Sequence, residues 1–166
     1  ARMGVMTGEY RAALVIGAEL LSKYLDWQDR STCVIFADGA GAAVITPGDP
    51  PRGILSTALH TDGEMADFIT ILAGGTEKPT TVETVKNREH YIRMRGNETF
   101  KIAVRSLEEV SREVLAREGM DAKDIDVFVP HQANQRIIDA VATRMGIDPA
   151  KIYVNIDRVG NTSAAS

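Results

Sequence analysis

The last forty residues constrain the fold most. Asp126 to Pro130 (Asp-Val-Phe-Val-Pro) is an apolar run of strand composition closed by proline. Asn134 to Met145 then places Ile137, Ile138, Val141 and Met145 on one helical face, and Ile152 to Ile156 is a second apolar run. Strand, helix and strand at this spacing form a β-α-β unit, whose two strands must run parallel and whose crossover is right-handed in nearly all proteins. The chain therefore belongs to the α/β class.

The rest of the chain extends that pattern. Arg11 to Gly17 carries almost no polar side chain after Arg11 and reads as a strand buried on both faces. Ala1 to Thr7 before it suits the last turns of a helix. Leu20, Leu21, Tyr24 and Leu25 have helical spacing, and Trp27-Gln28-Asp29-Arg30 makes a polar break. Thr32 to Ala37 predicts a second buried strand, Val44-Ile45 a short third and Ile54 to His60 a fourth, whereas Thr61 to Asn97 has no clear period and is assigned to surface loops. From Asn97 to Glu118, Phe100, Ala103, Val104, Leu107, Val110, Val114 and Leu115 follow the i, i+3, i+4, i+7 rule. Asn97 is the predicted N-cap and Gly119 the terminator. The triple-proline run Pro47-Gly48-Asp49-Pro50-Pro51 suits neither helix nor central strand and marks the predicted boundary between residues 1–51 and 52–166.

With 44% hydrophobic and 25% charged residues over 166 positions, the chain can bury a core without a disulfide or a metal. A single cysteine, Cys33, excludes an internal disulfide, and three scattered histidines do not make a zinc site. That cysteine usage fits a reducing, cytoplasmic setting. A net charge of −4, from 19 basic and 23 acidic side chains, argues against a nucleic-acid backbone binder. No apolar run approaches the ~20 residues of a membrane helix. The chain opens at Ala1 without an initiator Met and stops within the small-residue run Gly160 to Ser166, which predicts a piece of a longer protein.

Two side chains stand out chemically. His131 lies just beyond the first strand of the β-α-β unit and Asn161 a few residues beyond the second. Neighbouring strands lie ~4.8 Å apart, so both can reach one crevice at the carboxyl edge where α/β proteins bind ligands. An imidazole N–H and an amide NH₂ aimed at one point suit a thioester carbonyl or an enolate oxygen. A nucleophile is missing. Cys33 sits in an apolar run and reads as a packing residue, and Ser163 and Ser166 lack a basic partner in sequence. Asp38-Gly39-Ala40-Gly41 is explained by close packing more simply than by phosphate binding.

Three blocks, Asp29 to Ala43, Val129 to Asn134 (Val-Pro-His-Gln-Ala-Asn) and Asp157 to Ser166 (Asp-Arg-Val-Gly-Asn-Thr-Ser-Ala-Ala-Ser), together resemble the β-ketoacyl-acyl-carrier-protein synthase III family, in family order. The resemblance runs almost end to end and is weakest from Thr61 to Arg95. It implies a thiolase-like layered α/β/α/β/α fold, present here only in part. Residues 1–51 would end the N-terminal half, and 52–166 would begin the C-terminal half, in a homodimer. It further implies that His131 and Asn161 are two members of a Cys-His-Asn triad whose cysteine precedes Ala1. The family performs a decarboxylating condensation of acyl-CoA with malonyl-acyl-carrier protein, an acyltransferase reaction that initiates fatty-acid synthesis. No cofactor is held permanently, and the coenzyme A thioester is a substrate.

The same resemblance sets Arg30 beside the coenzyme A adenine. It sets Gly96, Phe100, Ala133 and Asn134 along the pantetheine tunnel, Phe36 beside the acyl pocket, and Lys101 and Arg136 at the tunnel mouth facing the acidic carrier protein. Ala37 departs from the family, which has glycine before Asp38-Gly39. Competing readings are a related thiolase-fold synthase making a quinolone, polyketide or other acyl product, a non-catalytic coenzyme A or carrier-protein binder, and a sugar-kinase-like nucleotide binder using Asp38 to Gly41. The last leaves His131 and Asn161 unexplained.

Overall fold

A computed structural model describes residues 1–49 and 52–166. In chain order the elements are α1 (Arg2–Met6), β1 (Ala13–Glu19), β2 (Gly39–Ile45), β3 (Ile69–Ile71), α2 (Val82–Lys86), β4 (Ile92–Met94), α3 (Gly96–Arg117), α4 (Gln135–Met145) and α5 (Ile156–Val159), with 3₁₀ turns between several of them. The predicted boundary run reaches Pro50 and Pro51, which lie outside the described residues.

The core lies between α3 and α4. Val104 from α3 meets Ile137, Val141, Ala142 and Met145 from α4, with Ile147 beside them and Phe100, Leu107, Phe128 and Ile152 packed around. Each such fully buried aliphatic contributes roughly 1.5–3 kcal/mol. Local chemistry sets the limits of α4. The Asn134 side chain accepts from the Ile137 N–H at 2.9 Å. At the other end Gly146 adopts φ +71°, so the Gly146 and Ile147 N–H groups turn back onto the Thr143 and Ala142 carbonyls.

The crossover is parallel, as the β-α-β reading requires. The Phe128 N–H donates to the Lys151 carbonyl and the Tyr153 N–H to the Phe128 carbonyl, both at 2.8 Å. The expected strands 126–130 and 152–156 contract to this one bridge. Pro130 has no N–H for a ladder, and the Asn155 and Ile156 N–H groups are taken by the Gln132 side chain as α5 begins.

The cap of α3 lies two residues earlier than predicted. Arg95, not Asn97, is the N-cap, and the Thr99 N–H reaches the Arg95 carbonyl at 2.9 Å, leaving Asn97 in the first turn. On its outer face Arg105–Glu109, Arg112–Glu108 and Arg117–Glu113 form the ion pairs that the i, i+4 spacing anticipates.

The N-terminal part corrects several expectations. The first strand is an antiparallel partner of β2, in register from Ala13↔Ile45 to Glu19↔Gly39, and it is not buried on both faces: Leu14 is 63% and Ile16 62% exposed. Its apolar run supplies capacity for burial, but no described residue covers those side chains. Thr32 to Ala37 is not a strand over most of its length. Residues 30–35 turn because the Asp29 carboxylate accepts from the Ser31 N–H, Ser31 Oγ and Thr32 Oγ1, and pairing begins only at Phe36. Cys33 is therefore a half-buried turn residue. The expected helix near Leu20 to Leu25 reduces to a 3₁₀ turn, Leu21–Tyr24, anchored by buried Leu25.

Residues 54–60 form no strand, because arginine side chains occupy their carbonyls in place of a neighbouring ladder. Arg2 donates to the Ile54 and Leu55 carbonyls at 2.9 Å, and Arg117 to that of Thr57 at 2.6 Å. His60 Nε2 meets Glu113 Oε2 at 2.5 Å, which fastens this strip to α3 and holds the Glu113 carboxyl below its ordinary range. The stretch 61–97, assigned to loops, contains the β3–β4 hairpin ladder and α2. Among the described residues no helix is long and apolar enough to cross a membrane, and no three His, Cys, Asp or Glu side chains cluster as metal ligands.

Candidate active site

Backbone geometry brings His131 and Asn161 to one place. Asn161 pairs in parallel with Phe36: its N–H donates to the Ile35 carbonyl at 3.1 Å, and its carbonyl accepts from the Ala37 N–H at 2.8 Å. The loop from Gly160 to Ser166 thus lies on the β1–β2 ribbon, and glycines make room for it. A Cβ on Gly17 would sit 2.2 Å from the Ala164 carbonyl oxygen, and one on Gly39 2.8 Å from Thr162 Cγ2. Close packing is what the Gly-rich run provides. Gly160, at φ +72°, faces Ala37, whose Cβ a Gly160 side chain would meet at 2.7 Å. Both members of that contact could not carry a methyl group, so the Ala37 departure makes Gly160 obligatory here.

Asn161 is 7% exposed and its amide is oriented by its neighbours. Oδ1 accepts from the Ser163 N–H at 3.0 Å, a bond that holds Ser163 at φ +52°. Nδ2 donates to the Ala133 carbonyl at 3.3 Å, leaving one amide hydrogen for a ligand. His131 is exposed, with Nδ1 3.4 Å from Ser166 Oγ. The same hydroxyl lies 3.2 Å from the Ser163 carbonyl, so it can accept from Nδ1–H or donate to Nδ1, and only the second arrangement makes Nε2 the hydrogen-bearing donor.

Gln132, between the two, is 2% exposed and fully satisfied. Nε2 donates to the carbonyls of Pro130 (2.9 Å) and Tyr153 (3.3 Å), while Oε1 accepts from the N–H groups of Asn155 (2.9 Å) and Ile156 (3.2 Å). One side chain thereby ties the residue before His131 to the segment that leads into Asn161. The resemblance had placed it in a motif without giving it a task.

His131 and Asn161 line one apolar cavity of about 170 Å³. Phe36, Gly96, Phe100, Ala133 and Asn134 line it too, so it gathers seven of the ten residues singled out from the sequence. Asn134 serves as the α4 cap, so its own amide oxygen is occupied. Arg30, Lys101 and Arg136 lie outside that wall and are exposed. The Arg136 guanidinium sits 5.4 Å from the centre of the Phe100 ring, which itself lines the cavity. Ile35, Ile69, Met94 and Thr99 were missed, and Ala103 and Ile137, read only as helix faces, line it too. Thr99 shares the helical phase of Phe100 and Ala103, a signal present in the sequence, whereas Ile69 and Met94 are brought together by β3–β4 pairing that no period announced. Cys33 does not line the cavity.

Known proteins resemble this chain along its whole length. Residues 1–63 match the family model for 3-oxoacyl-[acyl-carrier-protein] synthase III and residues 115–166 the model for the C-terminal part of the same enzyme. The chain is 50% identical over its whole length to a β-ketoacyl-[acyl-carrier-protein] synthase III of Symbiobacterium thermophilum, of which it covers 50%. It superposes on the 3-oxoacyl-[acyl-carrier-protein] synthase III structures of Aquifex aeolicus (TM-score 0.85, 43% identity, 99% of this chain and 48% of that one) and Thermus thermophilus (TM-score 0.88, 38% identity, 100% and 50%). The chain spans about half the length of the relatives it matches, and its fold is part of a thiolase-like α/β architecture. With both family models matched in order, and with relatives that align across the whole of this chain, it belongs to the β-ketoacyl-acyl-carrier-protein synthase III family.

Proposed function

We propose that the full-length protein containing this chain condenses an acyl-CoA starter with malonyl-acyl-carrier protein, releasing CO₂ and yielding 3-oxoacyl-acyl-carrier protein. The observation that carries this reading is the convergence of His131 and Asn161 on one small apolar cavity, with an amide hydrogen left free on Asn161. In the proposed sequence a cysteine thiolate from the segment before Ala1 takes the acyl group and CoA thiolate departs. Malonyl thioester then loses CO₂, and the electron pair of the broken C–C bond becomes an enolate. His131 Nε2–H and Asn161 Nδ2–H donate to the enolate oxygen, where negative charge grows in the transition state. The enolate carbon attacks the acyl thioester and expels the cysteine thiolate.

Phe36, Gly96, Phe100, Ala133 and Asn134 would border the acyl and pantetheine path, Arg30 would meet the adenine, and Lys101 and Arg136 the carrier protein. Residues 1–51 and 52–166 would belong to the two halves of the thiolase-like subunit of a cytoplasmic homodimer. The segments that cover the exposed apolar faces of β1 and β2 would come from the remainder of the protein. Incubating the full-length protein with acyl-CoA and malonyl-carrier protein tests the reading. Stoichiometric CO₂, free CoA and a 3-oxoacyl carrier protein are expected; a folded protein yielding none of them would overturn it.

A further inference from the structure

The turn that carries Arg30 is braced from a distant part of the chain. Its first residue, Asp26, follows the buried Leu25. Its carbonyl accepts from the Asp29 N–H at 2.9 Å, and its Oδ1 from the Gln28 N–H at 2.9 Å. Sixty-two residues later Arg88 grips the same carboxylate with two nitrogens: Nε donates to Oδ2 at 2.7 Å and a terminal nitrogen donates to Oδ1. The Asp26 side chain is 16% exposed and that of Arg88 39%, so this is a partly desolvated, bidentate pair of the kind that fixes geometry as well as charge. The pair holds Asp26 down to about 2 from an ordinary 3.8, the Arg88 hydrogen bond being the main cause.

Arg88 occupies a position that glycine would suit better. It follows the C-terminal end of α2 at φ +58°, with the Glu89 N–H returning to the Thr84 carbonyl at 3.0 Å, an arrangement in which left-handed glycine is the usual residue. The guanidinium also lies 5.2 Å from the Tyr91 ring centre. From Tyr91 the chain continues directly into β4, whose Met94 lines the cavity holding His131 and Asn161. Arg88 therefore joins the wall of the reaction cavity to the turn that displays Arg30.

We infer that Arg88 and Asp26 form a positioning pair that sets Arg30 for the adenosine end of coenzyme A, and so contribute to discrimination between coenzyme A and its pantetheine arm. This rests on the proposed condensing function, in which Arg30 meets the adenine. The Asp29 carboxylate caps Ser31 and Thr32 on the far side of Arg30, so the residue is held between two anchored ends while its own side chain stays exposed. Removing the Arg88 anchor frees one end and blurs the aim of the guanidinium, while the pantetheine path along Phe100 and Ala133 is untouched.

The test is calorimetric binding of CoA and of 4′-phosphopantetheine to the full-length protein, to Arg88→Gln, to Asp26→Ser and to the double variant, with thermal midpoints measured alongside. Each single variant is expected to weaken CoA binding about fivefold to tenfold, the size of a lost arginine–purine stack, and to leave phosphopantetheine binding unchanged. The double variant should lose no more than either single one, because the two residues act as one unit. Unchanged CoA affinity, equal loss for both ligands, or a loss confined to one partner would each overturn the inference while leaving the condensing function intact. A native protein that binds no CoA at all would overturn both.

Discussion

The β-α-β unit of residues 126–156 and the β1–β2 ribbon carry similar apolar composition and have opposite fates. Val141 on α4 is wholly buried in the α3–α4 core, whereas Ile16 on β1 is 62% exposed. The difference lies in where each finds its partner. Helix α4, the crossover itself, is covered by α3, which precedes it in the chain. The ribbon presents apolar residues outward on both sides and is packed by the Gly160–Ser166 loop. Apolarity in a sequence states a capacity for burial, and topology decides whether it is met.

This contrast can be broken or sharpened by mutation, and the effects should fall in a definite order. Ile138→Ala should destabilise the chain by about 2–5 kcal/mol in urea denaturation, as large-to-small changes in tight cores do. A midpoint within error of the parent would place the core elsewhere. Gly160→Ala combines a left-handed backbone with the Ala37 contact and should cost roughly 1–3 kcal/mol. Adding Ala37→Gly should return part of that loss by removing the clash and leaving the strain. Ile16→Ala in this chain alone should stay within about 0.5 kcal/mol, as exposed substitutions do. In the full-length protein the same change should cost substantially more, because the proposal covers that face.

The smallest effect concerns acid. Asp26 is depressed in the folded state, so its ion pair contributes stability that is fully present above its unfolded value of 3.8 and is lost as pH falls through about 2. Comparing the parent with Arg88→Gln, the stability gap between them should be constant near neutrality and close between about pH 4 and pH 2. A gap independent of pH would show that Arg88 acts through packing alone.

The sequence revealed most where structure is local. The faces of α3 and α4 followed from their spacing and the parallel crossover from the order of elements, while His131 and Asn161 share a cavity because Asn161 pairs with Phe36 and not because it follows the 152–156 run. What escaped was set by side chains acting on distant backbone. Asp29 turns Thr32 to Ile35 out of a strand, Arg2 and Arg117 take the carbonyls of 54–57, and Gln132 shortens the strands it links. The β3–β4 ladder, three residues long, is too short to declare a period, and with it Ile69 and Met94 went unnoticed as cavity residues. The site was thus visible as chemistry before its walls were.

The central claim is that His131 and Asn161 together stabilise an enolate. It is tested most directly by the rate of CO₂ release from malonyl-acyl-carrier protein, measured for the full-length protein and for its His131→Ala and Asn161→Ala variants at matched thermal stability. Each variant is predicted to be slower by about 10²–10³, the loss typical of one such donor. The double variant should fall by less than the product of the two, since both donors act on one oxygen. Decarboxylation that proceeds at the native rate in either folded variant would contradict the account.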